Sequence, residues 1–284
     1  MLPYLVIGIF TGASYALLTV AFVLVYKGTR IFNLAQGEIG GVGVYVAWSL
    51  LGTMPVLAAS LVGMAAAAAL ALVIELGLVR RLVNRTPLAA LAAMLGVALV
   101  LAYGEEELFG LNVKTFPSPV GLAQVHLGSV LVTAPRIAAL VCALGLALGL
   151  AFFLRRTRFG LQVEAATSDP VLARLSGVPV ERVRAFVWAL GGAVSALAAI
   201  LLATFSTFYP LSTTLWLVPA MVAALLGGLT SLPGAFAAGL AIGVVESLTV
   251  WRTSIGGAAD AAMLVLLLVG LLLRPQGVLG ERAG

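Results

Sequence analysis

Residues 3–26 read PYLVIGIFTGASYALLTVAFVLVY and contain no charged side chain. A helix rises about 1.5 Å per residue, so about 20 apolar residues cross a hydrocarbon core of about 30 Å. Backbone groups in lipid must be satisfied within the segment, so the stretch predicts a membrane-spanning helix that ends at Lys27 and Arg30. The stretch has no basic n-region and no obvious cleavage site, which favours a retained span over a signal peptide.

Further apolar segments follow and predict an all-α, polytopic transmembrane helical bundle. They lie at 31–52, 54–79, 87–104, 129–154, 185–208, 217–230, 234–251 and 261–273. Their continuous hydrophobicity argues against the alternating pattern of a membrane barrel. If every segment crosses, the chain has nine spans. The short late segments allow about eight to ten, with at least one broken or re-entrant helix. Residues 1–284 are expected to form a single transmembrane domain.

The composition excludes a soluble globular domain. The chain is 62% hydrophobic and 10% charged, whereas soluble domains carry roughly a quarter charged residues. Of the 16 basic residues, 13 lie in the gaps 27–30, 80–85, 155–184 and 274–282. The positive-inside rule places these gaps in the cytoplasm, with the N-terminus outside and the C-terminus inside. The basic excess therefore indicates membrane orientation and not nucleic-acid binding.

The acidic triplet at 105–107 is expected on the outer side, where it begins a polar stretch that runs to about residue 128. A single histidine and a single cysteine exclude an H-E-x-x-H site and a cysteine framework within the chain. Neither of the two lysines lies in a G-x-x-x-x-G-K-[ST] loop, and no G-x-S-x-G is present. We therefore expect no enzymatic site, no metal and no cofactor in this chain.

The start of the second segment carries polar side chains that are costly in lipid. Asn33, Gln36 and Glu38 occur among several glycines. An ionisable residue inside a span is a functional candidate by default. The three positions cannot share one helical stripe, which favours a discontinuous helix whose backbone lines a path. The alternative is that Glu38 pairs with a neighbouring helix or caps a helix start.

The longest basic gap predicts a short capped helix. Asp169 suits the N-cap position, Pro170 the first helical position and Gly177 the C′ position. Leu172 and Leu175 would then lie on one side of this helix. An apolar side on a cytoplasmic helix needs a cover, which predicts that another protein docks there. The alternative is that the helix lies back on its own bundle or on the bilayer surface.

A glycine-rich stretch near the C-terminus should interrupt any helix. It contains Gly227, Gly228, Pro233 and Gly234. These residues predict a turn between two shorter segments near the membrane face. An ordinary tight loop is the alternative.

Other features of the apolar runs concern helix packing and helix ends. Residues 273–277 read LRPQG and predict the stop of the last span. Glu75 is expected to snorkel or to meet Arg80, and Glu246 to face protein. Pairs of glycines four residues apart predict close helix packing. These pairs are Gly8 and Gly12, Gly37 and Gly41, Gly145 and Gly149, and Gly239 and Gly243.

Taken together, these stretches resemble the permease family of branched-chain amino-acid ABC transporters. The matching stretches occur in the family's order and extend over nearly the whole chain. They are 12–17, 33–38, 157–160, 169–177, 226–235 and 273–277. The resemblance implies an inner-membrane subunit that pairs with a second, related permease. It also implies two cytoplasmic ATPase subunits that bind the ATP, and an extracytoplasmic substrate-binding protein.

The same resemblance assigns candidate roles to particular residues. The substrate path would lie at the permease–permease interface near the second segment, and the loop 155–184 would contain the helix that couples to an ATPase. Glu164 departs from the basic residue that family members usually carry. The path candidates are Ser14, Tyr15, Asn33, Gln36 and Glu38. The coupling candidates are Arg158, Glu164, Asp169, Leu172, Arg174, Leu175 and Gly177.

Three alternatives keep the membrane architecture but change the function. The same machine could carry urea, short amides, a sugar or a nucleoside instead of an apolar amino acid. A secondary transporter driven by an ion gradient would use Glu38 or Glu246 as its proton carrier. A purely structural membrane scaffold would need none of the polar residues for transport.

Overall fold

The computed structural model describes residues 1–83, 85–121, 123–127, 130–253, 255–274 and 277. Helices dominate these residues. They are α1 Leu2–Thr29, α2 Gln36–Ser49, α3 Val56–Ile74, α4 Arg80–Leu82, α5 Pro87–Phe109, α6 Ala134–Arg156, α7 Arg158–Ser168, α8 Pro170–Leu175, α9 Val180–Ala203, α10 Ser212–Gly227, α11 Leu232–Arg252 and α12 Ala258–Leu273. A π-helical turn at Glu75–Val79 joins α3 to α4. One antiparallel hairpin pairs β1 Gln124–Leu127 with β2 Val130–Thr133.

The multi-pass helical prediction is confirmed. Each predicted apolar segment contains a helix, although residues 130–133 of the segment 129–154 form β2 and the helix there begins at Ala134. Six helices of the described residues are long and apolar enough to cross a membrane. The helices α10 and α12 have 16 residues each and α2 has 14. A 16-residue helix is about 24 Å long, which is shorter than the hydrocarbon core of about 30 Å. That these three helices also cross remains a prediction.

The first helix and the ninth form the centre of the bundle. In the most apolar window of α1, 78% of the residues are buried, and in that of α9, 67%. The corresponding window of α6 is only 17% buried. Outer helices that are apolar and exposed suit a lipid environment, because lipid tails solvate apolar side chains. The polar residues of the centre must therefore find their partners inside the protein.

Small residues let α1 and α11 approach each other closely, as the glycine pairs predict. A Cβ atom on Gly12 would lie 2.7 Å from the carbonyl oxygen of Leu240, and one on Gly8 would lie 2.7 Å from Val244 Cα. Both glycines therefore pack directly against the backbone of α11. The pair Gly145 and Gly149 on α6 has open space around it and makes no such contact.

The outer polar stretch differs from the prediction. The helix α5 continues to Phe109 and includes the acidic triplet, whose first member, Glu105, is 2% exposed. Glutamate has good helix propensity, so the triplet does not end the helix. Beyond α5 the backbone of Lys114 pairs with that of Phe208 in an isolated antiparallel bridge. This bridge fastens the segment after α5 to the segment after α9.

The basic end of the bundle is tied together by an ion-pair cluster. Glu75 is fully buried, and its carboxylate lies 3.3 Å from Arg80 Nε and 3.8 Å from Arg184 Nε. The predicted meeting of Glu75 with Arg80 is confirmed, and Arg184 is an additional partner. Because Glu181, Arg182 and Arg184 are compatible with a helix, α9 begins at Val180 and not at the apolar boundary predicted near residue 185.

The last helix ends at Leu273 and is followed by Arg274. The predicted stop signal includes Pro275 and Gln276, which lie outside the described residues.

Candidate functional site

The polar residues at the start of the second segment need no broken helix. Asn33 lies before α2, where its side-chain oxygen accepts a 3.1 Å hydrogen bond from the backbone N–H of Ala35. Its Nδ2 donates to Gln36 Oε1 at 2.7 Å. The helix α2 begins at Gln36 and is continuous to Ser49. The predicted discontinuity within this segment is therefore not observed, because the first polar residue lies in the turn that precedes the helix.

Gln36 connects α2 to the centre of the bundle. Its Nε2 donates to the carbonyl oxygen of Gly191 at 3.1 Å and to Ser195 Oγ at 2.5 Å, both on α9. Gln36 is fully buried, and Asn33 is 1% exposed. Every polar atom removed from water here needs a partner, and this amide chain provides it. We call Asn33, Gln36 and Ser195 the Gln36 cluster; its hydrogen bonds hold the first turn of α2 against α9.

Glu38 points to a different neighbour. Its Oε2 accepts a 2.7 Å hydrogen bond from Thr213 Oγ1, and its Oε1 accepts one from Thr214 Oγ1. Both threonines lie in the first turn of α10. The carboxylate is 1% exposed and makes no ion pair among the described residues. Glu38 therefore does pair with a neighbouring helix, through two hydroxyl groups and without a cation.

A second buried carboxylate lies beside Glu38. Glu105 on α5 interacts directly with Glu38, although neither of its oxygens has a hydrogen-bond partner among the described residues. Gly41 makes this approach possible, because a Cβ there would lie 2.5 Å from Glu105 Oε1 and 2.8 Å from Thr213 Oγ1. We call Glu38, Glu105, Thr213 and Thr214 the acidic cluster. It connects α2, α5 and α10.

Aromatic rings lie one to two helical turns beyond the acidic cluster. The ring of Tyr45 stacks on that of Phe109 at a centroid distance of 4.7 Å and meets that of Phe208 edge-on at 5.2 Å. Lys114 lies over the rings of Tyr45 and Trp48 at 5.8 and 5.1 Å. Its Nζ donates to the carbonyl oxygen of Phe109 at 2.7 Å. These contacts join the second half of α2 to the end of α5 and to the segments after α5 and α9.

The candidates on the first helix do not join the acidic cluster. The hydroxyl of Tyr15 donates to Glu246 Oε1 on α11 at 3.3 Å. Ser14 is fully buried, and its hydroxyl has no partner among the described residues. The structure thus brings Asn33 and Gln36 together, places Glu38 next to other residues and separates Tyr15 from both groups. The expectation that Glu246 faces protein is confirmed by its bond to Tyr15.

The predicted capped helix is present at the basic end of the bundle. Asp169 Oδ1 accepts hydrogen bonds from the backbone N–H groups of Val171 and Leu172 at 2.8 and 3.0 Å. Gly177 has φ +82°, the left-handed conformation expected at C′. Arg174 Nη2 forms a 2.7 Å ion pair with Glu181. This pair fastens the end of α8 to the first turn of α9.

One side of α8 is apolar and uncovered. Leu172 is 61% exposed and Leu175 is 80% exposed, whereas Ala173 is buried against the bundle. The preceding helix α7, which the sequence did not predict, begins with Arg158 and contains Glu164, both of which are exposed. Thr157 caps α7 by accepting a 3.0 Å bond from the N–H of Gly160. The loop therefore presents two short helices at the end of the bundle.

The glycine-rich break separates two helices, as predicted. The helix α10 ends at Gly227, and Gly228 has φ +101°. The next helix begins after Ser231, whose hydroxyl caps it by accepting a 3.2 Å bond from the N–H of Gly234. Pro233 lies in the first turn of α11, where its missing N–H costs no hydrogen bond.

Sequence reasoning missed Glu105, Thr213, Thr214 and Ser195. Glu105 was assigned to an outer loop because three consecutive acids suggest exposure. The spacing of Glu105 and Phe109, four residues apart, would have placed both on one helical face. The hydroxyl residues give no signal of their own, because serine and threonine are common in helices of either environment.

A bundle with apolar outer helices, buried carboxylates between its helices and capped helices exposed at its basic end is typical of a multi-pass membrane protein. The model of one family, described as "Branched-chain amino acid transport system / permease component", matches residues 4–273. The chain belongs to this family.

Relatives with the same description come from bacteria and an archaeon. The "High-affinity branched-chain amino acid transport system permease protein LivH" of Escherichia coli K12 is 29% identical over 96% of this chain and 94% of its own length. The protein BraD of Pseudomonas aeruginosa, described in the same words, is 29% identical over 99% and 96%. The "Probable branched-chain amino acid transport permease protein LivH" of Methanocaldococcus jannaschii is 29% identical over 93% and 88%.

A solved structure has a similar fold. The structure "PsaBC from Streptococcus pneumoniae in complex with Fab" contains a chain that matches 95% of this chain and 91% of its own length, with a TM-score of 0.51. The sequence identity is 16%, so this similarity concerns the fold alone.

Proposed function

We propose that this chain is the membrane-spanning permease subunit of an ATP-binding-cassette importer for branched-chain or other apolar amino acids. Membership of a branched-chain amino acid permease family supports the cargo. The printed names of relatives that align over nearly the whole chain support it as well. The chain would act in the inner membrane, and it would bind no cofactor itself.

The observation that carries the ATP-driven part of the proposal is the exposed side of α8. Leu172 and Leu175 lie on a helix that is capped by Asp169 and fastened by the Arg174–Glu181 ion pair. Exposed apolar side chains on a fixed helix are typical of a docking surface. One of two cytoplasmic ATPase subunits would therefore seat this helix, and ATP hydrolysis would take place on the ATPase pair.

A rigid connection between α8 and the spans supports transmission of ATPase motion. Ala173 is buried, and the N–H of Val178 donates to its carbonyl oxygen at 2.9 Å, immediately before α9. The helix α9 in turn holds Gln36 through Gly191 and Ser195. A displacement of α8 would thus reach the start of α2 through one continuous helix.

The acidic cluster and the Gln36 cluster are the proposed walls of the path region. A second, related permease would complete the path at the interface between the two subunits, and an extracytoplasmic binding protein would deliver the substrate. Because Glu38 and Glu105 lie inside the bundle, we assign them to the positioning of α2, α5 and α10 around the path. Direct contact with the substrate is not required for that role.

The test is reconstituted uptake with defined cargoes. The chain would be placed in vesicles with its candidate ATPases, second permease and binding protein, and uptake of radiolabelled leucine, urea and a sugar would be compared with and without ATP. The proposal predicts leucine uptake that requires ATP. Uptake of urea or the sugar in place of leucine would keep the ATP-driven machine and overturn the assigned cargo.

A further inference from the structure

A polar cavity lies at the basic end of the bundle, between the spans and the loop helices. It has a volume of about 260 Å³, much more than the ~30 Å³ that a water molecule occupies. Its wall includes Lys27 from α1, Arg155 from α6, Glu164 from α7 and Ser231 before α11. Four parts of the chain that are distant in sequence thus meet around one polar space.

The charged groups of this wall form no ion pair with any residue that the structure describes. None of the ion pairs among the described residues includes Lys27, Arg155 or Glu164. The nearby Arg30 donates instead to the carbonyl oxygen of Thr167 at 3.4 Å. Two cations and one carboxylate that line a cavity without pairing match a ligand that carries both an anionic and a cationic group.

An apolar groove of about 180 Å³ continues from the same cavity. The two spaces share Ala151, Leu232 and Pro233 in their walls. The rest of the groove lies between α1, α6 and α11 and includes Val20, Leu144, Ala147, Leu148 and Phe236. Leu148 is 69% exposed, so the groove is open to the surroundings of the bundle.

The direction of the groove fits one leaflet of a bilayer. Val20 precedes Lys27 by seven residues on α1, which places it about 10 Å deeper along the helix. Leu144 precedes Arg155 by eleven residues on α6, a distance of about 16 Å. Half of a hydrocarbon core is about 15 Å thick. The groove therefore runs from the level of the headgroups towards the middle of the membrane.

We propose that this continuous surface binds a phospholipid of the cytoplasmic leaflet whose headgroup is phosphoethanolamine. Lys27 and Arg155 would hold the phosphate, and Glu164 would accept hydrogen bonds from the primary ammonium group. One acyl chain would lie in the groove beside Val20 and Leu148. A free phosphate ion could use the two cations but would leave both Glu164 and the groove unoccupied. The bound lipid would connect α7 to the spans α1, α6 and α11.

The experiment is a lipid titration of the purified, delipidated full-length chain, followed by native mass spectrometry. The probes are phosphatidylethanolamine, phosphatidylglycerol and phosphatidylcholine with identical acyl chains. We expect phosphatidylethanolamine to bind most tightly. A cation near the headgroup contributes enough that Lys27→Gln and Arg155→Gln should each weaken its binding about fivefold. Arg156→Gln is the matched control, since Arg156 is exposed next to Arg155 and does not line the cavity.

Two further variants separate the headgroup from the acyl chain. Glu164→Gln should weaken the binding of phosphatidylethanolamine and leave that of phosphatidylglycerol unchanged or stronger. Ala147→Phe should fill the groove and weaken the binding of both lipids, whereas Cys142→Phe, at an exposed position of the same helix, should not. Ala147→Leu replaces Ala147→Phe if the larger residue prevents folding, as judged by gel filtration and melting temperature.

Several results would overturn the proposal. An equal effect of Arg155→Gln and Arg156→Gln would show that only general surface charge attracts the lipid. If phosphatidylcholine bound as tightly as phosphatidylethanolamine, or if phosphatidylglycerol bound most tightly, Glu164 would not select the headgroup. A third such result is that inorganic phosphate displaces the lipid while a folded Ala147 variant that fills the groove binds lipid normally. That pair of observations would show that the cavity binds an anion and that the groove holds no acyl chain.

Discussion

The hydroxyl of Thr213 donates a 2.7 Å hydrogen bond to Glu38 Oε2 and thereby ties the first turn of α10 to the first turn of α2. Thr214 donates to the other oxygen of the same carboxylate. A carboxylate that is held by two hydroxyl groups and lies beside a second carboxylate is an expensive arrangement in a membrane protein. Its energetic cost makes the acidic cluster the most informative place for substitutions.

Substitution of Glu38 tests whether the cluster serves transport. Glu38→Gln keeps the size of the side chain but loses the charge, so at least one threonine hydroxyl is held more weakly. Hydrogen bonds to charged groups contribute about 1.5–3 kcal/mol, so we expect uptake to fall about tenfold or more while the subunit still assembles. Glu107→Gln, at an exposed position of α5, is the control and should transport normally. Normal uptake by a folded Glu38→Gln protein would make Glu38 a structural residue only.

Substitution of Glu105 should stabilise the fold. Its oxygens have no partner among the described residues, and it interacts with a second acid. Glu105→Gln removes the buried acid and supplies N–H donors towards Glu38. We expect a higher melting temperature of the detergent-solubilised protein than for Glu107→Gln. A lower melting temperature would mean that the Glu105 carboxylate has a stabilising partner.

Gly41 is predicted to leave the space in which Glu38 and Glu105 approach each other, because it has no side chain. Gly41→Ala would bring a Cβ to 2.5 Å from Glu105 Oε1, and such overpacking typically costs about 1–3 kcal/mol. Combining it with Glu105→Ala should recover part of this loss, because the contact with Glu105 would be gone and that with Thr213 Oγ1 at 2.8 Å would remain. Gly96→Ala on α5 is the control, since nothing lies near its Cβ, and it should stabilise by up to about 1 kcal/mol. If the melting-temperature changes of Gly41→Ala and Glu105→Ala were strictly additive in the double variant, this role of Gly41 would be contradicted.

Docking of an ATPase to α8 is testable by co-purification. Leu172→Asp and Leu175→Asp place a charge on the exposed apolar side and should abolish ATPase association, while the permease still inserts and folds. Leu175→Met keeps the surface apolar and should retain the ATPase. Association that survives both aspartate variants would show that α8 is not the docking helix.

Most of the fold was predictable because lipid imposes a simple rule on the sequence. A span needs a long apolar run, and the runs from Pro3 and from Pro87 both became helices. The capped helix α8 was predictable because Asp169 and Gly177 act locally, through hydrogen bonds and backbone conformation. The acidic cluster was not predictable, because Glu105 meets Glu38 only through tertiary packing across Gly41. Side chains that are far apart in sequence give no local sign of such a meeting.

We propose that ATP hydrolysis on partner subunits, and not an ion gradient, drives amino-acid uptake. The most direct measurement is leucine uptake into vesicles that contain the assembled transporter, with ATP or a proton gradient supplied separately. We expect uptake that requires ATP and persists when an ionophore collapses the proton gradient. Uptake that proceeds without ATP and stops with the ionophore would contradict it and assign the buried acids Glu38 or Glu246 to proton transfer.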